Sequence, residues 1–148
     1  MKIRKATTND LDQLADLFNQ YRVFYKKSSD IPAGKEFLGE RMVNNESEIF
    51  VAINTENEFA GFVQLYPIFS STRMKRLWLL NDLFVAPDYR GQGISVSLIE
   101  KAKELCRSTN ACGLLLETAK TNTAGNKLYP RTEFVLESDS NFYVWNLK

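Results

Sequence analysis

The chain has 148 residues, 44% of them hydrophobic, with 19 Lys and Arg against 18 Asp and Glu and no histidine. That length suits one domain over residues 1–148, and a net charge of +1 supplies no field that would recruit nucleic acid or an anionic membrane. Without histidine the usual zinc ligand sets and the Ser-His and Cys-His nucleophile pairs are excluded, so no metal is expected.

In chain order, Ile3 and Ala6 suggest a short strand. Thr8-Asn9-Asp10 offers helix N-caps, and Leu11, Leu14, Ala15, Leu17, Phe18, Tyr21 and Phe24 recur at helical spacing, which predicts a helix from about Asp10 to Tyr25. Phe18, Tyr21 and Tyr25 share one face of it, as core or as the wall of a pocket, with Phe24 displaced. Lys26 to Pro32 reads as a polar loop closed by its proline, and Lys35 to Asn44 as a second helix. Ile49–Ile53 and Phe59–Tyr66 read as a hairpin around Asn54–Glu58, halted by Pro67, with Ile68 to Arg76 an exposed connection. A central strand then starts at Leu77.

Leu83-Phe84-Val85-Ala86-Pro87-Asp88-Tyr89-Arg90-Gly91-Gln92-Gly93-Ile94-Ser95 carries that strand through a proline-stopped turn into a helix from about Ile94 to Arg107. Such a stretch is either a tight turn capping a helix or a cradle for phosphate, in which Gly91 and Gly93 let a ligand approach the backbone and Arg90 adds a fixed charge. It lacks the third glycine of a dinucleotide fingerprint and the Gly-Lys-Ser/Thr of a P-loop. Gly113 to Glu117 reads as another strand, Thr121-Asn122-Thr123 caps a short helix to about Pro130, and Phe134–Leu136 with Phe142–Trp145 are expected to close the sheet as an antiparallel pair. Cys106 and Cys112 are read as small buried apolar groups, and an N-terminus without an apolar leader points to the cytoplasm. The order predicts an α/β fold with helices on both faces of a mixed sheet.

Arg90-Gly91-Gln92-Gly93-Ile94-Ser95 resembles the acyl-CoA loop of the GCN5-related N-acetyltransferases, Arg/Gln-x-x-Gly-x-Gly/Ala, with Ser95 at the last position. Asn122 to Phe134 is similar to that family's closing motif, Asn-x-x-Ala-x-x-Leu-Tyr-x-x-x-Gly-Phe, with Gly125 for the Ala and Glu133 for the Gly. Leu80-Asn81-Asp82-Leu83-Phe84-Val85 resembles the stretch before the loop in polyamine and diamine acetyltransferases, with Asn81 where they place a glutamate. The resemblance covers nearly the whole chain. It implies a mixed, mostly antiparallel sheet of about six to seven strands and an acetyltransferase using acetyl-CoA as cosubstrate.

The site residues follow from the same resemblance. Leu83, Phe84, Val85, Arg90, Gly91, Gln92, Gly93, Ile94, Ser95 and Asn122 are expected to hold the coenzyme, while Tyr21, Tyr25, Asp82 and Glu117 border a small amine or lysine-like acceptor. An alkylammonium must lose a proton before it attacks a thioester, and with no histidine the base is a carboxylate, Asp82 first and Glu117 second, or water. Asp82 interrupts an apolar strand, and such a charge needs a partner or a task. Tyr129, protonated at neutral pH, is expected to supply the departing thiolate with a proton. A homodimer is expected. The competing expectations are a CoA-binding regulatory domain without turnover, and acetylation of a protein N-terminus or an amino acid.

Overall fold

The computed structural model describes residues 1–148 as two compact units, Met1–Glu117 and Thr118–Lys148. The first holds strands β1 (Lys2–Lys5), β2 (Glu48–Ile53), β3 (Phe59–Ser70), β4 (Lys75–Val85) and β5 (Leu114–Leu115), with helices α1 (Leu11–Phe24), α2 (Ile31–Val43) and α3 (Ile94–Ser108). The sheet runs in sequence order β1-β2-β3-β4-β5, antiparallel throughout except for the β4–β5 pair, which is parallel. The mixed, mostly antiparallel architecture agrees with the sequence reading, whereas the sheet has five strands rather than six or seven.

Alternation along the strands divides the core between two helical layers. Ile49, Val51, Ile53, Phe62 and Phe84 cluster with Leu14, Leu17 and Phe18 of α1 and Leu38 of α2. Fully buried side chains such as Phe62 and Leu14 each contribute about 1.5–3 kcal/mol. On the opposite face, α3 buries Leu98, Ile99 and Ala102. There a Cβ on Gly61 would lie 2.7 Å from the Phe84 carbonyl oxygen and 3.4 Å from Leu98, so this glycine lets β3, β4 and α3 close up.

Proline explains two departures from the sequence reading. Pro32 sits in the first turn of α2 instead of closing the loop, where its missing N–H has no intrahelical acceptor to lose, and Asp30 caps that helix by accepting from the Ala33 N–H at 3.1 Å. Pro67 does not halt β3: it pairs with Trp78 beyond Leu65, the last residue that β2 pairs, so no ladder bond is left unmade. The expected connection over residues 68–76 is therefore mostly the end of a long hairpin. Cys106 and Cys112 are half-buried and unbridged, not fully buried.

The second unit contains α4 (Thr123–Arg131). Asn122 caps it, its Oδ1 accepting from the Gly125 N–H at 3.1 Å and its Nδ2 donating to the Thr118 hydroxyl at 2.8 Å. A Cβ on Gly125 would collide with the Asn122 amide, which accounts for glycine there. The helix ends with Glu133 at φ +74°, the left-handed position that favours glycine, while the Phe134 N–H donates to the Tyr129 carbonyl at 3.0 Å. Residues 135–148 form neither of the expected strands, and Val135, Leu136, Phe142, Tyr143, Val144, Trp145 and Leu147 are 70–89% exposed. β-propensity alone does not hold a two-stranded ribbon in water without a third strand or a helix to pack on.

Asp10 joins β1 to the start of α1. It takes a bidentate pair from Arg4, 2.7 and 2.9 Å, and accepts from the Thr7 N–H at 2.7 Å, and the Arg4 bonds first of all lower its pKa to about 2. Because the folded-state pKa is depressed, the stabilisation is present above the unfolded value near 4 and is lost as pH falls toward about 2. Asp10→Ala should cost about 1–2 kcal/mol in urea melts at pH 7. That difference should shrink steadily between pH 4 and pH 2.5, and a gap that does not change with pH would count against the ion pair.

Candidate active site

Strand β4 is paired with β3 on one edge along its length except at Asn81 and is largely open on the other. Leu83, Phe84 and Val85 pair with Val63, Phe62 and Gly61 of β3, whereas β5 reaches only Trp78 and Leu79. The Ala86 N–H donates to Ala60 at 2.8 Å, so by the alternation of an antiparallel ladder the N–H groups of Leu83 and Val85 face the open edge. An extended chain with amide groups can add there as a further strand.

Beyond Val85 a 3-10 turn, Pro87–Tyr89, leads to Arg90. The Tyr89 hydroxyl donates to Glu58 at 2.8 Å and accepts from Asn54 at 2.9 Å, tying the turn to the β2–β3 connection. The Asn54 amide also donates to Glu58 at 2.8 Å, and this bond first, with that from Tyr89, holds the Glu58 carboxyl below the usual range, while its own bond to Glu58 raises the Tyr89 phenol. Gly91 and Gly93 take φ +78° and +77°, and nothing lies within 4 Å of where a Cβ on either would stand. Gly93 caps α3, whose first N–H groups, from Ile94 and Ser95 onward, have no intrahelical acceptor. Backbone donors and open space together fit a diphosphate. The Arg90 Nε donates to the Val85 carbonyl at 2.9 Å, with the guanidinium 5.2 Å from the Phe24 ring and 5.5 Å from Phe84. Through that bond it braces the open edge.

Asp82 owes its direction to a bulge. Gln64 pairs with Asp82 and Leu65 with Leu80, so Asn81 is one extra residue, and the Asp82 side chain falls on the same face as Phe84 and Phe62, toward α1. There it is 5% exposed and accepts from Gln64 Nε2 at 2.5 Å, Asn81 Nδ2 at 3.1 Å and the Tyr21 hydroxyl. No cationic side chain pairs with it. Burial raises its pKa despite the three donors, and burial together with the Asp82 charge pushes the Tyr66 phenol up to about 12. Gln64 is fully buried, and its Oε1 has no hydrogen-bond partner.

The first unit thus brings together Tyr21, Asp82, Leu83 to Val85 and the Arg90–Ser95 loop. Tyr21 lies 5.7 Å from Phe62 and 6.1 Å from Phe84, ring centre to ring centre. Tyr25 is exposed and touches Tyr21 edge-on at 5.0 Å, and Phe24 lies on Phe84 instead of apart from the cluster. Glu117 is exposed beyond the end of β5, which spans two residues and not the five expected, so no strand aims it. Asn122 and Tyr129 belong to the second unit, where Tyr129 meets Phe134 edge-on at 5.7 Å. Gln64 and Tyr66 were not anticipated. A glutamine inside Phe62-Val63-Gln64-Leu65 carries the same mark as Asp82, a polar group in an apolar strand.

An open strand edge beside a glycine-rich helix start can take an extended ligand with an anionic end, and comparison with known proteins gives the family. The profile described as the acetyltransferase (GNAT) family matches residues 11–134. The chain is 43% identical over 142 residues to an uncharacterized N-acetyltransferase, YhfO, of Bacillus subtilis, covering 96% of this chain and 93% of that one. It is 34% identical over 136 residues to a probable acetyltransferase of Haemophilus influenzae, covering 88% and 93%. A crystal structure of a probable acetyltransferase superimposes with a TM-score of 0.95 at 36% identity, covering 100% of this chain and 99% of the other. The chain belongs to the GNAT family and is an acetyltransferase.

The buried Asp82 charge makes a prediction about stability. Its folded-state pKa is raised, so the folded protein binds the proton more tightly than the unfolded chain, and stability falls as pH climbs from the unfolded value through the folded one. Asp82→Asn removes that charge while keeping a polar group. Its melting temperature should exceed that of the parent at pH 8, with the two converging below pH 4, and equal melting temperatures at both would contradict the assignment.

Proposed function

We propose that this protein transfers the acetyl group of acetyl-CoA to the primary amine of a small cationic acceptor, a polyamine or a lysine-like side chain, by direct attack with both substrates bound. The observation that carries this reading is a buried carboxylate without a cationic partner, placed beside the open edge of β4. A buried anion is costly unless paired, and an acceptor ammonium supplies the missing charge. In this reading the N–H groups from Gly91 to Ser95, with Arg90, bind the diphosphate, and the open edge at Leu83 to Val85 takes the pantetheine amides. Asn122 contributes to the same arm.

The chemistry asked of the protein is acid–base work. Asp82 takes one proton from the ammonium, the neutral amine attacks the thioester carbonyl, and the N–H groups of Leu83 and Val85 stabilise the charge developing on its oxygen. Tyr129 gives its phenolic proton to the leaving thiolate. The register of Tyr129 in the closing motif supports this role, and Glu117, exposed and unaimed, is the weaker base. Three or more His, Cys, Asp or Glu side chains grouped to hold a metal are not found, and the steps above need none. No helix is long and apolar enough to cross a membrane, and the unpaired cysteines suit a reducing cytoplasm.

A thiol-release assay with acetyl-CoA and a panel of polyamines, lysine analogues and amino acids tests the reading. Release of CoA with at least one primary amine, confirmed by a gain of acetyl mass on it, is expected, and acetyl-CoA binding without turnover on any amine would make the chain a binding domain instead. Tyr129→Phe should lower kcat by about a hundredfold with the KM for acetyl-CoA unchanged. An unaltered kcat would remove the acid role.

The same proposal includes a homodimer, supported by the apolar side chains of residues 135–147, which find no cover within the chain. Sedimentation at micromolar concentration should give a dimer, and Trp145→Glu should shift it toward monomer. A parent protein that sediments only as monomer would overturn this part.

A further inference from the structure

Gln64 is an odd residue to find at the centre of a sheet. It is fully buried, opposes Asp82 across the β3–β4 ladder, and spends only its donor end: Nε2 on the carboxylate, Oε1 on nothing. A buried acceptor left idle is costly, and removing it altogether by an apolar residue is open to any sequence. The groups facing Asp82 are Tyr21 from α1, Asn81 beside it on β4, and Gln64 and Tyr66 from β3, with Arg41 of α2 acting on Tyr66. Tyr21, Asn81 and Gln64 all donate to Asp82, an arrangement that suits a carboxylate, whereas a carboxylic acid there needs one of its neighbours to accept instead. Among the groups that face Asp82, Gln64 Oε1 is the buried acceptor with no partner, and it lies on a side chain already in contact.

We propose that Gln64 is a positioning residue for proton acceptance at Asp82, its amide donating to the carboxylate while that is charged and, turned about its last side-chain bond, accepting from the carboxylic acid once the proton has arrived. The two ends of an amide are nearly the same in size, so the turn leaves the packing unchanged. Each orientation leaves one amide atom idle, so neither protonation state is favoured on that account. The proton balance is simple: an N–H bond of the acceptor ammonium breaks as an O–H bond forms on Asp82, the nitrogen keeps its electron pair for attack, and water later removes the proton and restores the first orientation. This rests on the reading of Asp82 as the base.

The test is a double-mutant cycle on the full chain, using Gln64→Met and Asp82→Leu, or Asp82→Ala if leucine does not fold, with unfolding constants from denaturant melts above and below the Asp82 titration. Coupling of about fivefold or more in the unfolding constant is expected at both ends of the pH range, because Gln64 serves both protonation states. Coupling at the high-pH end alone would overturn the proposal and leave Gln64 as a simple donor. With 1,4-diaminobutane as the amine probe, Gln64→Met should lower kcat by about tenfold with the KM for acetyl-CoA unchanged. The base reading is scored separately: Asp82→Asn that keeps both its rate and the acid limb of the pH profile removes it, and this proposal with it, whatever the coupling.

Discussion

The organising constraint is one surplus residue in β4. Asn81 has no partner on β3, and its insertion reverses the parity of the strand, so that Leu80 and Asp82 point to opposite faces although an unbroken strand would put them on the same one. In an unbroken ladder Asn81 would stand opposite Gln64, and Asp82 would face α3 instead of Tyr21, Gln64 and Tyr66. Everything after the bulge inherits the new register, including the open N–H groups of Leu83 and Val85 and the turn that delivers Arg90.

The site sets one unfavourable term against several favourable ones. A carboxylate at 5% exposure with no cation beside it opposes folding, and the opposition is tolerated because Gln64, Asn81 and Tyr21 each donate to it and because the surrounding cluster of Phe18, Phe62 and Phe84 buries a large apolar area. The same aromatic surface supports Arg90 through Phe24 and Phe84. Packing, the buried charge and the brace on the strand edge are therefore different uses of one face.

The sequence was most legible where local chemistry decides. Helical spacing from Leu11 to Phe24 and the glycine-rich entry to α3 set elements within a residue or two of where they lie, because burial periodicity and positive φ leave few alternatives. It was least legible where partners decide. Pro67 is a strand breaker by propensity, yet here it stands beyond the reach of β2. Phe142 to Trp145 has every mark of a strand but lacks a neighbour to pair with, and Gly113 to Glu117 pairs over only two residues. Asp82 was visible as a charge in an apolar run, whereas its bond to Gln64 was not, since the pairing of residues 18 apart depends on a register that the bulge shifts.

Gly61 carries a wider consequence. Because the Leu98 side chain of α3 seats on bare backbone there, 3.4 Å from where a methyl group would stand, the helix packs closely on the strands that lead to the β4 edge. On the proposed reading, the separation of helix start and strand edge acts as a gauge for the donor. It measures the span from diphosphate to thioester, so that a short acyl thiol lacking the nucleotide could fill one end of the groove but never register both.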